Sequence, residues 1–146
     1  VATTAALALL LFNLFPQPSF TPLEQAFLAN SADGLGQLFA TEGAVQLSLP
    51  EPISFYDFIS AGQARLLFSR VFSVSRTLEF YVDPRLTTFP GRPGGIIRAR
   101  WSFRAARTGE ERVMRLSFYV IPTIVRRGGR GFELGMRIVE LRGESL

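Results

Sequence analysis

The strongest constraint on the fold lies in the second half of the chain, where three long runs follow one another at 96–106, 112–124 and 131–141. In the first run Ile97, Ala99, Trp101, Phe103 and Ala105 fall on one face, and Ile96, Arg98, Arg100, Ser102 and Arg104 on the other. This period of two belongs to a strand with one side in a core. Thr108-Gly109-Glu110 and Arg127-Gly128-Gly129-Arg130 separate the runs, and both are hairpin chemistry. Neighbouring antiparallel strands of such length twist and coil, so the expectation is a strongly curved sheet wrapped around something else. Pro122, inside the second run, marks an edge or a bulge.

The first half supplies what the sheet wraps. Thr21-Pro22-Leu23-Glu24 offers a capping residue, Pro at the first helical position and Glu three residues after the cap. Leu23, Phe27 and Leu28 give that helix its apolar stripe, Asn30 to Gly36 reads as a break or a second short helix, and Leu35, Leu38 and Phe39 extend the buried surface. Val45, Leu47 and Leu49 alternate with Gln46 and Ser48 as a half-buried strand, ended by Pro50 and Pro52. Ser60-Ala61-Gly62-Gln63 is a capping box. Ala64, Leu67, Phe68, Val71 and Phe72 follow it at helical spacing, with Arg65, Ser69 and Arg70 on the polar side. Thr77 to Val82 then alternates Leu78, Phe80 and Val82 inward against Thr77, Glu79 and Tyr81. Asp83-Pro84 and Pro90 to Gly95 form an exposed loop.

The fold class expected is therefore α+β, with helices packed in a strongly curved, cone-like antiparallel sheet behind an apolar N-terminal segment. Residues 22–142 form one domain and 143–146 a C-terminal tail. Val1 to Phe15 carries no charge, and Ala5 to Phe12 is continuously apolar. As a helix this stretch spans roughly 22 Å, short of the roughly 30 Å hydrocarbon core of a bilayer. It reads as the apolar region of a secretory signal, as a membrane anchor, or as a buried helix. The anchor is the expectation taken, with 16–21 as a Pro-rich linker that stops any helix running into it.

Composition sets chemistry aside. Among the 146 residues there is no Cys and no His. Disulfides and thiol chemistry are excluded, a Ser-His or Cys-His nucleophile is impossible, and a zinc, haem or iron–sulfur site has almost nothing to ligate it. No cofactor and no metal are expected. All 16 basic residues are Arg and the net charge is only +4, which reads as coding bias rather than as a phosphate-binding face. Gly91 to Gly95 is interrupted by Pro93 and lacks the Lys-Ser or Lys-Thr of a phosphate loop.

The element order, the Gln37-Leu38-Phe39-Ala40 close of the helical opening, the Val45-Gln46-Leu47-Ser48-Leu49 strand, the Ser60 to Phe72 helix and the Phe118 to Leu141 hairpin together resemble the nuclear-transport-factor-2-like superfamily. That superfamily includes ketosteroid-isomerase-like and SnoaL-like proteins, and the resemblance is nearest to small bacterial secreted domains of unknown function. It covers about Pro22 to Arg142. It implies a sheet wrapped round helices, often with a pocket at the open end and frequent dimerisation through the sheet face. It implies no particular activity, because the scaffold hosts enzymes, ligand carriers and interaction modules alike.

Enzymes of this kind commonly use an Asp or His base with a Tyr or acid donor. Here the Asp residues are Asp33 at a helix start, Asp57 in a pre-helix loop and Asp83 in a Pro-flanked turn. Asp57 beside Tyr56 is the one acid–Tyr pair placed to face a pocket mouth, and such a carboxylate is usually a turn or capping residue. No catalytic residue is assigned. Arg98, Arg100 and Arg104 share a strand face, and Arg126, Arg127 and Arg130 cluster at a hairpin tip; these six are the candidate interaction residues. The stripe reads either as a dock for an acidic partner, lipid headgroups or nucleic acid, or as a solvated face that keeps a sheet from aggregating; the second is preferred. Nucleic acid is disfavoured because Trp101 points the opposite way and no aromatic platform interleaves with the arginines. Arg112, Arg115 and Arg137 either extend the stripe or pair with Glu110, Glu133 and Glu140.

The functional expectation is a non-catalytic accessory or scaffold subunit. Val1 to Phe15 would tether it to a membrane, with the domain on the periplasmic side of a bacterium, packed against a larger complex such as a respiratory or photosynthetic one. A homodimer through the sheet face is a further expected contact. The alternatives are a periplasmic carrier of a small apolar ligand and, behind it, a SnoaL-like enzyme.

Overall fold

The computed structural model describes residues 20–88, 94–126 and 132–146. Val1 to Phe15, the expected anchor, lies outside the described residues, as do Arg127 and Arg130 and most of the Pro90 to Gly95 loop. Among the described residues no helix is long and apolar enough to cross a membrane.

The described residues open with helices α1 (Thr21–Leu28) and α2 (Ala32–Gly36), continue through strands β1 (Val45–Leu49) and β2 (Phe55–Ile59) into helix α3 (Ala61–Val74), and end in β3 (Ser75–Val82), β4 (Gly95–Ala105), β5 (Glu111–Arg126) and β6 (Phe132–Ser145). The strands form one open sheet in the order β2-β1-β6-β5-β4-β3. Every neighbouring pair is antiparallel except β1 and β6, which run parallel with Leu47 opposite Leu141. The three helices and one face of the sheet share a single core containing Leu23, Phe27, Leu35, Phe68, Phe72 and Trp101. The α+β architecture with helices held in a curved sheet is the one expected.

Local chemistry accounts for most boundaries. The capping box of α3 is fully formed: Ser60 Oγ accepts from the Gln63 N–H at 3.2 Å, and Gln63 Oε1 accepts from the Ser60 N–H at 2.9 Å. Ala64, Phe68, Val71 and Phe72 point into the core, as their spacing predicts. Ser31 caps α2 by accepting from the Gly34 N–H at 3.0 Å.

Four readings need correction. Phe20, not Thr21, occupies the N-cap of α1: it packs against the core and its carbonyl takes the Glu24 N–H at 3.0 Å, so burial of a ring sets the start of this helix. Asp57 sits on strand β2 rather than in a pre-helix loop, with Asp57 opposite Leu47. The Phe55–Ile59 segment hid from a pattern search because its central residues are exposed on an edge strand, which removes the alternation. Leu78 does not face the core, since a bulge between Thr77 and Glu79 adds a residue on β3 and turns Leu78 outward while Phe80 and Val82 stay inside. The last strand continues beyond Leu141 to Ser145, which pairs with Met114.

Pro122 lies opposite Met136 on β6, past Val120, where the pairing of β5 with β4 ends among the described residues; the nearby register shift adds Val139 on β6.

Candidate interaction face

The interior, where this kind of sheet could enclose a ligand, is occupied by aromatic rings. Phe27 of α1 lies flat on Phe80 of β3, with centroids 4.2 Å apart and planes within 10°. It meets Trp101 edge-on at 5.4 Å, Phe72 at 5.5 Å and Phe118 at 6.0 Å. Phe103 closes on Trp101 at 4.2 Å. The indole N–H of Trp101, the one polar atom of that cluster, donates to Thr77 Oγ1 at 2.9 Å. Among the described residues every buried side-chain nitrogen and oxygen has a hydrogen-bond partner, so no polar group inside waits for a ligand to satisfy it. No cluster of three or more acidic residues there has the geometry of a metal site.

Asp57 does not approach this interior. It is exposed on the sheet's end strand, and its carboxylate accepts from the N–H of the next residue, Phe58, at 2.7 Å. A charge beside an open strand edge, tied to an edge N–H, discourages another strand from pairing there. Tyr56 and Phe58 stand on the opposite face of β2 and are 67% and 63% exposed. Asp33 forms an exposed ion pair with Arg65 at 3.1 Å, and Asp83 accepts from the Arg85 N–H at 2.9 Å within its turn.

The outer face of the sheet is where the charge collects. Trp101 and Phe103 are buried under the helices, so Arg98, Arg100 and Arg104 project outward, as their alternation predicts. The structure then divides the arginines. Arg104 pairs with Glu111 at 2.7 Å, whereas Arg112, opposite Phe103 and so on the inner face, pairs with Glu110 at 3.2 Å. Arg142, which the sequence did not single out, pairs with Glu140 at 2.6 Å and lies 5.6 Å from the centre of the Tyr119 ring. The Glu140 hydrogen bond, and then its charge, raises the pKa of Arg142 above the ordinary guanidinium value. Among the described residues Arg137 forms no ion pair; it donates to the Gln37 carbonyl at 2.6 Å and so holds the end of α2. Arg126 ends β5 opposite Phe132.

Arg98, Arg100 and Arg115 remain, and Arg76, opposite Arg104 on β3, is likewise outside the ion pairs of the described residues. Arg100 and Arg115 are directly opposite each other on β4 and β5, with Tyr81 opposite Arg100 on β3 and Glu144 opposite Arg115 on β6. A shallow cleft of about 110 Å³ opens among Tyr81, Asp83, Arg98, Arg100 and Arg115, with Leu86, Ala99 and Leu146 also in its lining. A larger groove of about 470 Å³ runs between α2 and α3 past Asn30, Asp33 and Arg65. Asn30 is structural there: its amide nitrogen donates to the Ser75 carbonyl at 3.1 Å, and its oxygen accepts from the Thr77 N–H at 3.1 Å. Its position in a segment read only as a break gave no sign of that role.

No protein-family model matches the chain, and no curated protein matches it. Solved structures do. A nuclear-transport-factor-2-like protein of unknown function in nutrient uptake from Rhodospirillum rubrum superposes with a TM-score of 0.59 at 12% identity, covering 86% of this chain and 93% of that one. A ketosteroid isomerase-like protein from Erwinia carotovora gives 0.59 at 10% identity over 84% and 86%. A protein of ketosteroid isomerase-like fold from Catenulispora acidiphila, in complex with trimethylamine, gives 0.57 at 13% identity over 85% and 82%. At such identities the likeness speaks for the backbone and not for an activity. The chain has the nuclear-transport-factor-2-like, ketosteroid-isomerase-like fold.

Proposed function

We propose that this chain is a non-catalytic accessory or scaffold domain that works through its outer surface. In this reading Val1 to Phe15 tethers it to a bacterial membrane, and the domain packs on the periplasmic side against a larger membrane protein complex, such as a respiratory or photosynthetic one. The observation that carries the reading is the packed aromatic centre: Phe27 is stacked on Phe80 and wedged against Trp101 and Phe118, and the cleft of about 250 Å³ beside Phe103, Arg112 and Met114 lies apart from those rings. The fold hosts both pockets and interaction surfaces, and a chain that packs rings into the first is left with the second.

Two further features support it. Tyr56 and Asp57 are exposed on the edge strand and point to opposite faces of the sheet, so they do not form one site. Exposed Arg and Tyr side chains, the residue types that anchor protein interfaces, gather on the outer sheet face. A carrier role, of the kind suggested by the trimethylamine complex of the Catenulispora protein, would require Phe27 or Trp101 to vacate its place.

The test is native purification of the full-length chain from membranes. A stoichiometric protein partner, released together with the domain when residues 1–20 are deleted, is the expected result. A full-length chain that is soluble, monomeric and free of partners would refute the scaffold reading.

A further inference from the structure

The partition of the arginines on the outer face has a consequence for what that face binds. Like charges directly opposite on adjacent strands destabilise a sheet, and Arg100 and Arg115 stand in that relation. Their outer-face neighbours Arg104 and Arg142 are neutralised by Glu111 and Glu140. Among the described residues, Arg98, Arg100 and Arg115 form no ion pair with any carboxylate. Glu144 lies across from Arg115 in register without bridging it, and the Asp83 carboxylate is engaged by the Arg85 N–H. Arg98, Arg100 and Arg115 thus line one small cleft, beside Asp83 and Leu146, with no carboxylate bonded to their side chains among the described residues.

We propose that Arg98, Arg100 and Arg115 form a carboxylate-docking site for a short acidic segment of a partner protein, with Tyr81 as its side wall. Three observations choose this occupant. The cleft, at about 110 Å³, admits the head of an Asp or Glu side chain and is far smaller than the several hundred Å³ that enclose a metabolite. The positive charge is bounded, because Glu79 and Glu144 flank it on β3 and β6, and Arg104 and Arg142 beyond it are already paired. An extended polyanion or an anionic membrane would meet those carboxylates as well, whereas a short segment would not. Finally, a guanidinium binds a carboxylate through two parallel hydrogen bonds, so a carboxylate seated between Arg100 and Arg115 converts their repulsion into attraction. This inference rests on the docking role proposed above and names the chemistry of the partner.

The probe is a labelled peptide of alternating Glu and Ser, compared with the same peptide carrying Gln for Glu, titrated into the full-length chain at low salt and followed by fluorescence anisotropy. The expected result is binding of the Glu peptide only. Loss of a charge-assisted bond weakens affinity about ten- to a hundredfold, and that loss is expected in Arg100→Gln and again in Arg115→Gln. Arg104→Gln, which removes an arginine already paired with Glu111, is expected to change affinity less than twofold. Both cleft variants remove a like-charge contact, so melting temperatures equal to or above that of the wild type certify folding. The proposal is overturned if the Glu peptide binds the cleft variants as tightly as the wild type. Preference for anionic vesicles or single-stranded DNA over the peptide, again dependent on Arg100 and Arg115, overturns it in favour of those partners. A natural partner that co-purifies equally with wild type and variants defeats this site while leaving the scaffold reading intact. No partner at all defeats the scaffold reading, and the peptide titration then decides the site alone.

Discussion

The amide nitrogen of Asn30 donates to the carbonyl of Ser75 at 3.1 Å, across 45 residues of sequence, and so binds the end of α1 to the start of β3. The same side chain accepts from the Thr77 N–H at 3.1 Å, and Asn30 itself adopts a left-handed backbone with φ of 50°. Asn30→Ala removes the bonds and keeps a conformation that disfavours a Cβ, at an expected loss of about 2–4 kcal/mol. Asn30→Gly relieves the backbone alone and should be less harmful by about 1 kcal/mol. Urea unfolding of the pair measures both values; equal losses would show that the left-handed turn contributes nothing.

Phe27 decides whether the interior is full. Phe27→Ala should reduce stability by about 3–5 kcal/mol and leave a cavity bounded by Phe72, Phe80, Trp101 and Phe118. Benzene should then raise the melting temperature of the variant and leave that of the wild type unchanged, since dry apolar cavities take up such molecules. A shift in the wild type would reveal space inside the native core and revive a carrier role.

The chain's single Trp reports on its own partner. Trp101 is fully buried and its indole N–H reaches only Thr77 Oγ1 among the described residues. Thr77→Val strands that donor at an expected cost of about 1–3 kcal/mol, whereas Thr77→Ser keeps the acceptor and should cost less. Trp fluorescence during chemical unfolding provides the readout.

Gly143 permits close packing of β6 against the β1 end of the sheet. A Cβ there would stand 2.8 Å from Met114 Sδ, 3.0 Å from Pro50 Cδ and 3.2 Å from Leu49 Cδ2. Gly143→Ala is expected to destabilise by about 1–3 kcal/mol through overpacking. Gly109→Ala, at a hairpin with φ of 71° and open space around it, should lose about 1–2 kcal/mol for a purely conformational reason. The double variant Met114→Ala/Gly143→Ala separates the two causes, because making room can rescue only the steric one.

Asp57 protects an edge. Asp57→Val would leave an uncharged Phe-Tyr-Val-Phe-Ile strand at the margin of the sheet, a composition that favours strand addition between molecules. Light scattering should show concentration-dependent association for Asp57→Val and none for Asp57→Lys, which restores a charge. If both variants remain monodisperse, the carboxylate has no part in keeping the edge unpaired.

Much of this architecture was legible before any coordinates, because it rests on period. The outward arginines and inward Trp101 of β4 follow from alternation, and the buried side of α3 from helical spacing behind a capping box. What escaped was local and non-periodic. Strand β2 exposes its central residues, the bulge after Thr77 reverses the expected place of Leu78, and Asn30 works through partners more than forty residues away. None of these leaves a repeat in the sequence to detect.

By itself, the order of residues determined which chemistries are available, which faces of each element are apolar, and that a curved sheet must enclose helices. Those properties depend on side-chain identity and on neighbours within a few positions. Only the tertiary structure decided that the enclosed volume is filled by Phe27 and Trp101, and that Arg104, Arg112 and Arg142 are neutralised while Arg98, Arg100 and Arg115 are not. Register between strands sets which charges meet, and the convergence of helices and sheet sets whether rings leave room, so both outcomes belong to the assembled fold.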